Sequence, residues 1–138
     1  MRWWVVAAAV ALGLAASPAF ADVEQFHAPS GNVHCGYYSD ETITALRCDI
    51  RETNSPAPAA PADCELDWGN AFEMAVESQH AARICHGDTV ADDNSPVLDY
   101  GDTWERDGFT CKSETTGMSC RNAEGAGWDL SRTRQKLY

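Results

Sequence analysis

Six cysteines constrain this 138-residue chain more than any other feature. Cys35, Cys48, Cys64, Cys85, Cys111 and Cys120 all follow an N-terminal segment that reads as an export signal. Arg2 supplies its positive start, Trp3 to Ala16 is an apolar run too short for a membrane span, and Ala19-Phe20-Ala21 offers the small residues of a cleavage site. Pro18 breaks any helix before that site. Residues 1–21 are therefore expected to be removed, which places the remaining 117 residues in the periplasm or outside the cell. In such a compartment an even number of cysteines reads as a disulfide framework.

Metal binding is the rival reading of six cysteines. Zinc sites favour close pairs such as C-x2-C. Here 12, 15, 20, 25 and 8 residues separate successive cysteines, and no C-x-x-C occurs. His34-Cys35 and Cys85-His86 are adjacent pairs, and neighbours on a strand point to opposite faces. The pairing of the cysteines follows from hairpin geometry, because cross-strand partners must be equidistant from their turn. Val33, Cys35 and Tyr37 share one face of a predicted strand, and Leu46, Cys48 and Ile50 share one face of the next. The midpoint of 35 and 48 falls beside the polar Ser39-Asp40-Glu41. Phe109, Cys111 and Ser113 face one way, opposite Met118, Cys120 and Asn122. The midpoint of 111 and 120 falls inside Glu114-Thr-Thr-Gly117, where Gly117 supplies the positive φ. The expected bridges are Cys35–Cys48 and Cys111–Cys120, which leaves Cys64–Cys85 by elimination.

The rest of the chain carries weaker signals. Pro56, Pro58 and Pro61 make residues 52–63 an extended, exposed loop within a single domain spanning 22–138. Phe72 and Met74 alternate with acids as in a strand, yet residues 71–84 also suit a helix by propensity, and periodicity leaves the choice open. Residues 87–108, dense in Gly, Asp, Asn and Pro, read as irregular loop. Trp128-Asp-Leu130 reads as an edge strand, and Arg132 to Lys136 as a solvated basic tail. Trp68 and Trp128 are expected in the core with their indole N–H groups bonded at its rim; Trp104, among Asp102, Glu105, Arg106 and Asp107, has a weaker claim.

Charge excludes function classes. Ten Lys and Arg face 21 Asp and Glu, a net charge of −11. Loss of the leader removes Arg2 and no acid, so the mature chain stands at −12. Neither nucleic-acid backbones nor anionic lipid surfaces attract such a chain. No G-x-S-x-G elbow is present. Asp88, Asp92, Asp93, Asp99 and Asp102 suggest calcium by composition but lack the spacing of an EF-hand loop. Paired carboxylates for glycoside hydrolysis depend on separation in space, which sequence does not give.

Several motifs carry a resemblance. Phe26-His-Ala-Pro-Ser-Gly-Asn-Val-His-Cys35 is similar to the opening pattern F-x-S-P-S-G-N-[IV]-x-C of a family of small secreted bacterial proteins whose domain has no assigned function. Further matches are Arg47-Cys48-Asp49-Ile50, Trp68-Gly69, Cys85-x-Gly87-Asp88-Thr89 and Leu98-x-Tyr100-Gly101. Phe109-Thr-Cys111-x-Ser113, Gly117-x-x-Cys120-x-Asn122 and Leu130-Ser131-Arg132 complete the set. Ala28 stands where the family usually has Ser. Ala126 and Trp128 stand where a His and a Phe are expected, so no role resting on that His carries over. The resemblance implies export, disulfides and a β-rich domain, and it implies no activity.

The expectation is an all-β or β-dominated domain of hairpins stapled by three disulfides. No residue is assigned a catalytic, cofactor-binding or metal-ligating role, and no cofactor is implied. The functional reading is a non-enzymatic extracytoplasmic binding or interaction module, acting on an envelope component or an extracellular protein. The alternative is a secreted enzyme inhibitor or small hydrolase. A rigid scaffold with long loops favours the first, because preorganised loops lose less entropy on docking.

Overall fold

Period-two alternation of apolar and polar residues builds ten strands and, among the described residues, no helix. The structure, a computed structural model, describes residues 9, 11–14 and 22–138. Apart from residues 9 and 11–14, the expected export signal lies outside the described residues. Strands β1 (Asp22–His27), β2 (Val33–Ser39), β3 (Thr44–Ile50), β4 (Ala71–Ala75) and β5 (Ala82–Arg83) form one antiparallel meander. Strands β6 (Thr103–Arg106), β7 (Phe109–Glu114), β8 (Gly117–Arg121), β9 (Gly127–Leu130) and β10 (Gln135–Leu137) form a second. Their inner faces meet in one core: Phe26, Val33, Cys35, Tyr37, Leu46, Cys48, Ile50, Phe72 and Met74 from the first, and Phe109, Cys111, Met118, Cys120, Trp128 and Leu130 from the second.

Both predicted hairpins are present in the predicted register. Cys35 pairs with Cys48 across β2 and β3, and Cys111 with Cys120 across β7 and β8. All three expected disulfides form: Cys35–Cys48, Cys64–Cys85 and Cys111–Cys120. The two hairpin bridges have Cα separations of 4.0 and 4.1 Å, the close approach of a non-hydrogen-bonded antiparallel pair. They face each other across the sheets, with Cys48 Sγ 4.0 Å from Cys120 Sγ, and all four of these cysteines are fully buried. Gly117 is required twice over: its φ is 138°, and a Cβ there would collide with the Leu130 carbonyl of β9.

The two sheets differ in what covers their outer faces. In the second, β7 alternates strictly between buried and exposed residues. In the first, β2 and β3 are buried on both faces, because the segment 86–98 crosses the outer side. Val90 packs against Gly36, Val90 N–H donates to Asp49, and Asp92 N–H donates to His34.

The structure settles one choice the sequence left open and changes several expectations. Residues 71–75 are a strand rather than a helix, since Phe72 and Met74 bury in the core while Glu73 bonds Tyr38 on the outer face. Segment 87–108 is not wholly irregular: Thr103–Arg106 pairs with β7, and Trp104 packs on Phe26 and Tyr37. Strand β9 is interior, because the supposed solvated tail adds β10 outside it. Lys136 and Arg121 lie over the Tyr138 ring, and the Tyr138 hydroxyl donates to Asp129 at 2.6 Å. Trp68 is half-buried outside the core, held by its N–H to the Pro58 carbonyl at 2.9 Å. Trp128 is in the core, but its N–H has no partner there.

Candidate functional site

An up-and-down meander returns every second turn to the same end. The β1–β2 turn (28–32), the chain leaving β3 (51–52), the β7–β8 turn (115–116) and the β9–β10 turn (131–134) consequently meet at one end of the two sheets. Three adjoining clefts open there. The middle one, ≈ 180 Å³, has Ala28, Val33, Met118 and Leu130 in its wall beside Ser30, Asn32, Tyr100, Thr115, Thr116 and Arg132. A second, ≈ 190 Å³, shares Thr116, Gly117, Leu130 and Ser131 with it and adds Ser119, Asp129 and Arg134. A third, ≈ 220 Å³, shares Ser30, Asn32 and Arg132 and adds Gly31, Arg51 and Glu52. The second and third have no residue in common, so the three form a row.

Local chemistry fixes this end. Gly31, at φ 71°, lets the β1–β2 turn close, and its N–H donates to the Ala28 carbonyl. Asn32 locks that turn to the chain after β3: its Nδ2 donates to the Glu52 carbonyl at 3.1 Å and its Oδ1 accepts the Glu52 N–H at 2.9 Å. Ser131 Oγ accepts the Arg134 N–H at 3.1 Å across the β9–β10 turn. Arg132 reaches Glu52 at 2.9 Å, and Arg51 reaches Asp93 at 2.9 Å. The hydrogen bond and charge of Arg51 hold the Asp93 carboxyl below its usual range. Ser30, Gly31, Asn32, Tyr100, Gly117, Leu130, Ser131 and Arg132 all belong to the sequence motifs singled out above. The fold gathers these scattered segments, and it adds Thr116 and Arg134, which no motif marked.

A polar layer lies under segment 86–98. Arg47, 8% exposed, forks onto Asp49 with Nε–Oδ1 at 2.8 Å and Nη2–Oδ2 at 3.0 Å. Asp49 also accepts from Thr89 Oγ1 at 2.8 Å and from Val90 N–H at 3.1 Å, while Arg47 donates to the Asp88 carbonyl at 2.8 Å. His86 bonds the Asp88 carbonyl and Asn70. Burial of these charges is offset by bidentate geometry and by the further hydrogen bonds that Thr89 and Val90 give Asp49. The layer is an anchor for the crossing segment. Alternation in the sequence gave no sign that Arg47 and Asp49 would be covered.

Two histidines stack beside it. His27 and His34 have ring centroids 5.0 Å apart at an interplanar angle of 17°. His34 bonds the Gly31 carbonyl through Nε2 at 2.9 Å and accepts the Asp92 N–H at Nδ1. This arrangement requires the neutral ring with its proton on Nε2. Burial pushes the His34 imidazole below its usual range, with Arg51 and His27 acting in the same direction and the Gly31 carbonyl and Asp93 opposing. His27 Nδ1 lies 2.8 Å from Ser95 Oγ. The Ser95 hydroxyl donates to the Asp92 carbonyl at 2.8 Å, so it receives a hydrogen bond from His27 and is not poised to give its proton to that ring. The contact fastens the crossing segment to β1.

Three of the five acids that suggest calcium by composition serve separate partners: Asp88 binds Arg47, Asp93 binds Arg51, and Asp92 Oδ1 accepts the Asn94 N–H. Among the described residues the one convergent group of His, Cys, Asp or Glu is Cys35, Cys48 and Cys120, whose sulfurs are consumed in disulfides. No helix of the described residues is long and apolar enough to cross a membrane.

Fold and bridges together define a small disulfide-stapled all-β protein, a construction that fits an oxidising, extracytoplasmic location. A family model described as a family of unknown function (DUF6636) matches residues 6–138, and the chain belongs to that family. No curated protein and no solved structure matches the chain.

Proposed function

We propose that this protein is a non-enzymatic, extracytoplasmic binding module that holds an envelope component in the row of clefts at the turn end of its sheets. In this reading residues 1–21 direct export and are cleaved after Ala21. The mature chain then works as one domain in the periplasm or outside the cell. The supporting observation is the convergence of Ser30, Asn32, Tyr100, Ser131 and Arg132, from three separate segments, on adjoining clefts. Rigid strands and two core disulfides hold those turns, so little conformational entropy is lost on docking. The acidic surface steers the protein away from nucleic acid and anionic lipid.

The test is co-sedimentation of the purified, disulfide-bonded protein with the insoluble envelope fraction of the cells that export it. Thr115→Trp and Thr116→Trp would fill the clefts from exposed turn positions, and Lys112→Ala on the open outer face of β7 is the control. Wild type and control should pellet with the envelope, and the cleft-filled variants should stay in solution. Wild type left in solution, or Trp variants that pellet as wild type does, would refute the proposal.

A further inference from the structure

The row of clefts also points to a class of ligand. Resting on the binding reading above, we infer that the clefts take a short, uncharged oligosaccharide, one sugar ring per cleft. Three adjoining spaces of ≈ 180, ≈ 190 and ≈ 220 Å³ are each of single-ring size, and their order in a row suits a linear chain. A pyranose offers an apolar C–H face and a rim of hydroxyls that both donate and accept. The middle cleft presents the matching surfaces. Val33, Met118 and Leu130 lie buried beneath its floor, and Tyr100, 45% exposed, supplies the amphipathic ring at its margin against which a sugar face would pack. Around them stand the hydroxyls of Thr115 and Thr116, which hold no hydrogen bond among the described residues.

Charge narrows the class. Arg132 and Arg51, the cations of the third cleft, are paired with Glu52 and Asp93, Glu114 of the middle cleft is paired with Lys112, and Arg134 of the second cleft shares its wall with Asp129. A paired Arg132–Glu52 presents donors and acceptors side by side, the pattern that reads a neutral vicinal diol rather than an anion. The net charge of −11, or −12 without Arg2, adds long-range repulsion against any polyanion. Trp68, Trp104 and Trp128 do not serve as a stacking platform. Trp128 is buried in the core, Trp104 packs against it, and Trp68 sits on the proline-rich loop.

The experiment repeats the co-sedimentation with envelope that is untreated, periodate-oxidised or protease-digested, and with raised salt. Periodate cleaves vicinal diols and should lower retention at least tenfold, whereas protease and salt should leave it unchanged. Tyr100→Ala, at an exposed position that leaves the core intact, should weaken retention about tenfold. Retention that survives periodate but falls with protease would identify a protein partner and overturn this inference while the binding reading stands. A steep loss with salt would identify a charged ligand and overturn it equally. Failure of untreated envelope to retain the protein would remove the binding reading itself.

Discussion

Burial, not loop length, should rank the three disulfides. Loop-closure entropy alone gives about 2.9, 3.3 and 2.6 kcal/mol for Cys35–Cys48, Cys64–Cys85 and Cys111–Cys120, from separations of 13, 21 and 9 residues. On that basis the middle bridge matters most. Its environment says otherwise, because Cys64 is half-buried and Cys85 exposed. The other two bridges are fully buried, with Cys48 and Cys120 sulfurs 4.0 Å apart at the centre of the core. Changing a core pair to alanine also deletes two packed sulfurs, which adds on the order of 2 kcal/mol in lost contacts and cavity. Cys111→Ala with Cys120→Ala should therefore cost about 5 kcal/mol, against about 3 kcal/mol for Cys64→Ala with Cys85→Ala. The first figure approaches the whole stability of a small domain. Urea unfolding of the two double variants, followed by tryptophan fluorescence, measures the difference. Stepwise reduction with peptide mapping should find Cys64–Cys85 opened first. Equal or greater loss from the Cys64/Cys85 variant, or earlier reduction of Cys111–Cys120, would show that the sulfur contact contributes nothing and that chain entropy alone sets the order.

Two further perturbations probe the covered outer face. Asp49→Asn leaves the buried Arg47 guanidinium without its carboxylate and should cost about 3 kcal/mol, with amide exchange accelerating first in residues 86–98, as hydrogen-exchange mass spectrometry would report. His34 is held below its ordinary value of 6.5, so the unfolded chain binds the proton first as pH falls. Its contribution is complete above that value and is lost as pH drops from it towards the lower folded pKa. The urea midpoint should fall between about pH 7.5 and about pH 5, and His34→Asn should flatten that slope; an unchanged slope would contradict the neutral ring inferred from the Asp92 N–H at His34 Nδ1.

The clefts were only partly legible in the sequence. Ser30-Gly31-Asn32 and Ser131-Arg132 stood out as motifs, but nothing in one dimension joins residue 31 to residue 131. That union depends on two meanders being stacked so that alternate turns share an end. Thr116 and Arg134 carried no signal, since a turn threonine and a tail arginine are ordinary surface residues until a neighbouring turn is placed beside them. Tyr100 lay in a segment read as loop, and the structure makes it the exposed aromatic of the middle cleft.

The sequence by itself determined the two hairpins and all three bridges. Hairpin register is a local property, so a polar turn equidistant from two cysteines is enough to pair Cys35 with Cys48 and Cys111 with Cys120. Once those pairs are set, Cys64 and Cys85 have no other partner. The tertiary structure decided what covers each face. Alternation assigns Arg47 and Asp49 to the side away from Cys48, but only the crossing of residues 86–98 turns that side into a second buried layer. It likewise recruited Thr103–Arg106 and Gln135–Leu137 as edge strands, because short polar segments become strands when a neighbour's unpaired N–H and C=O groups offer them a ladder.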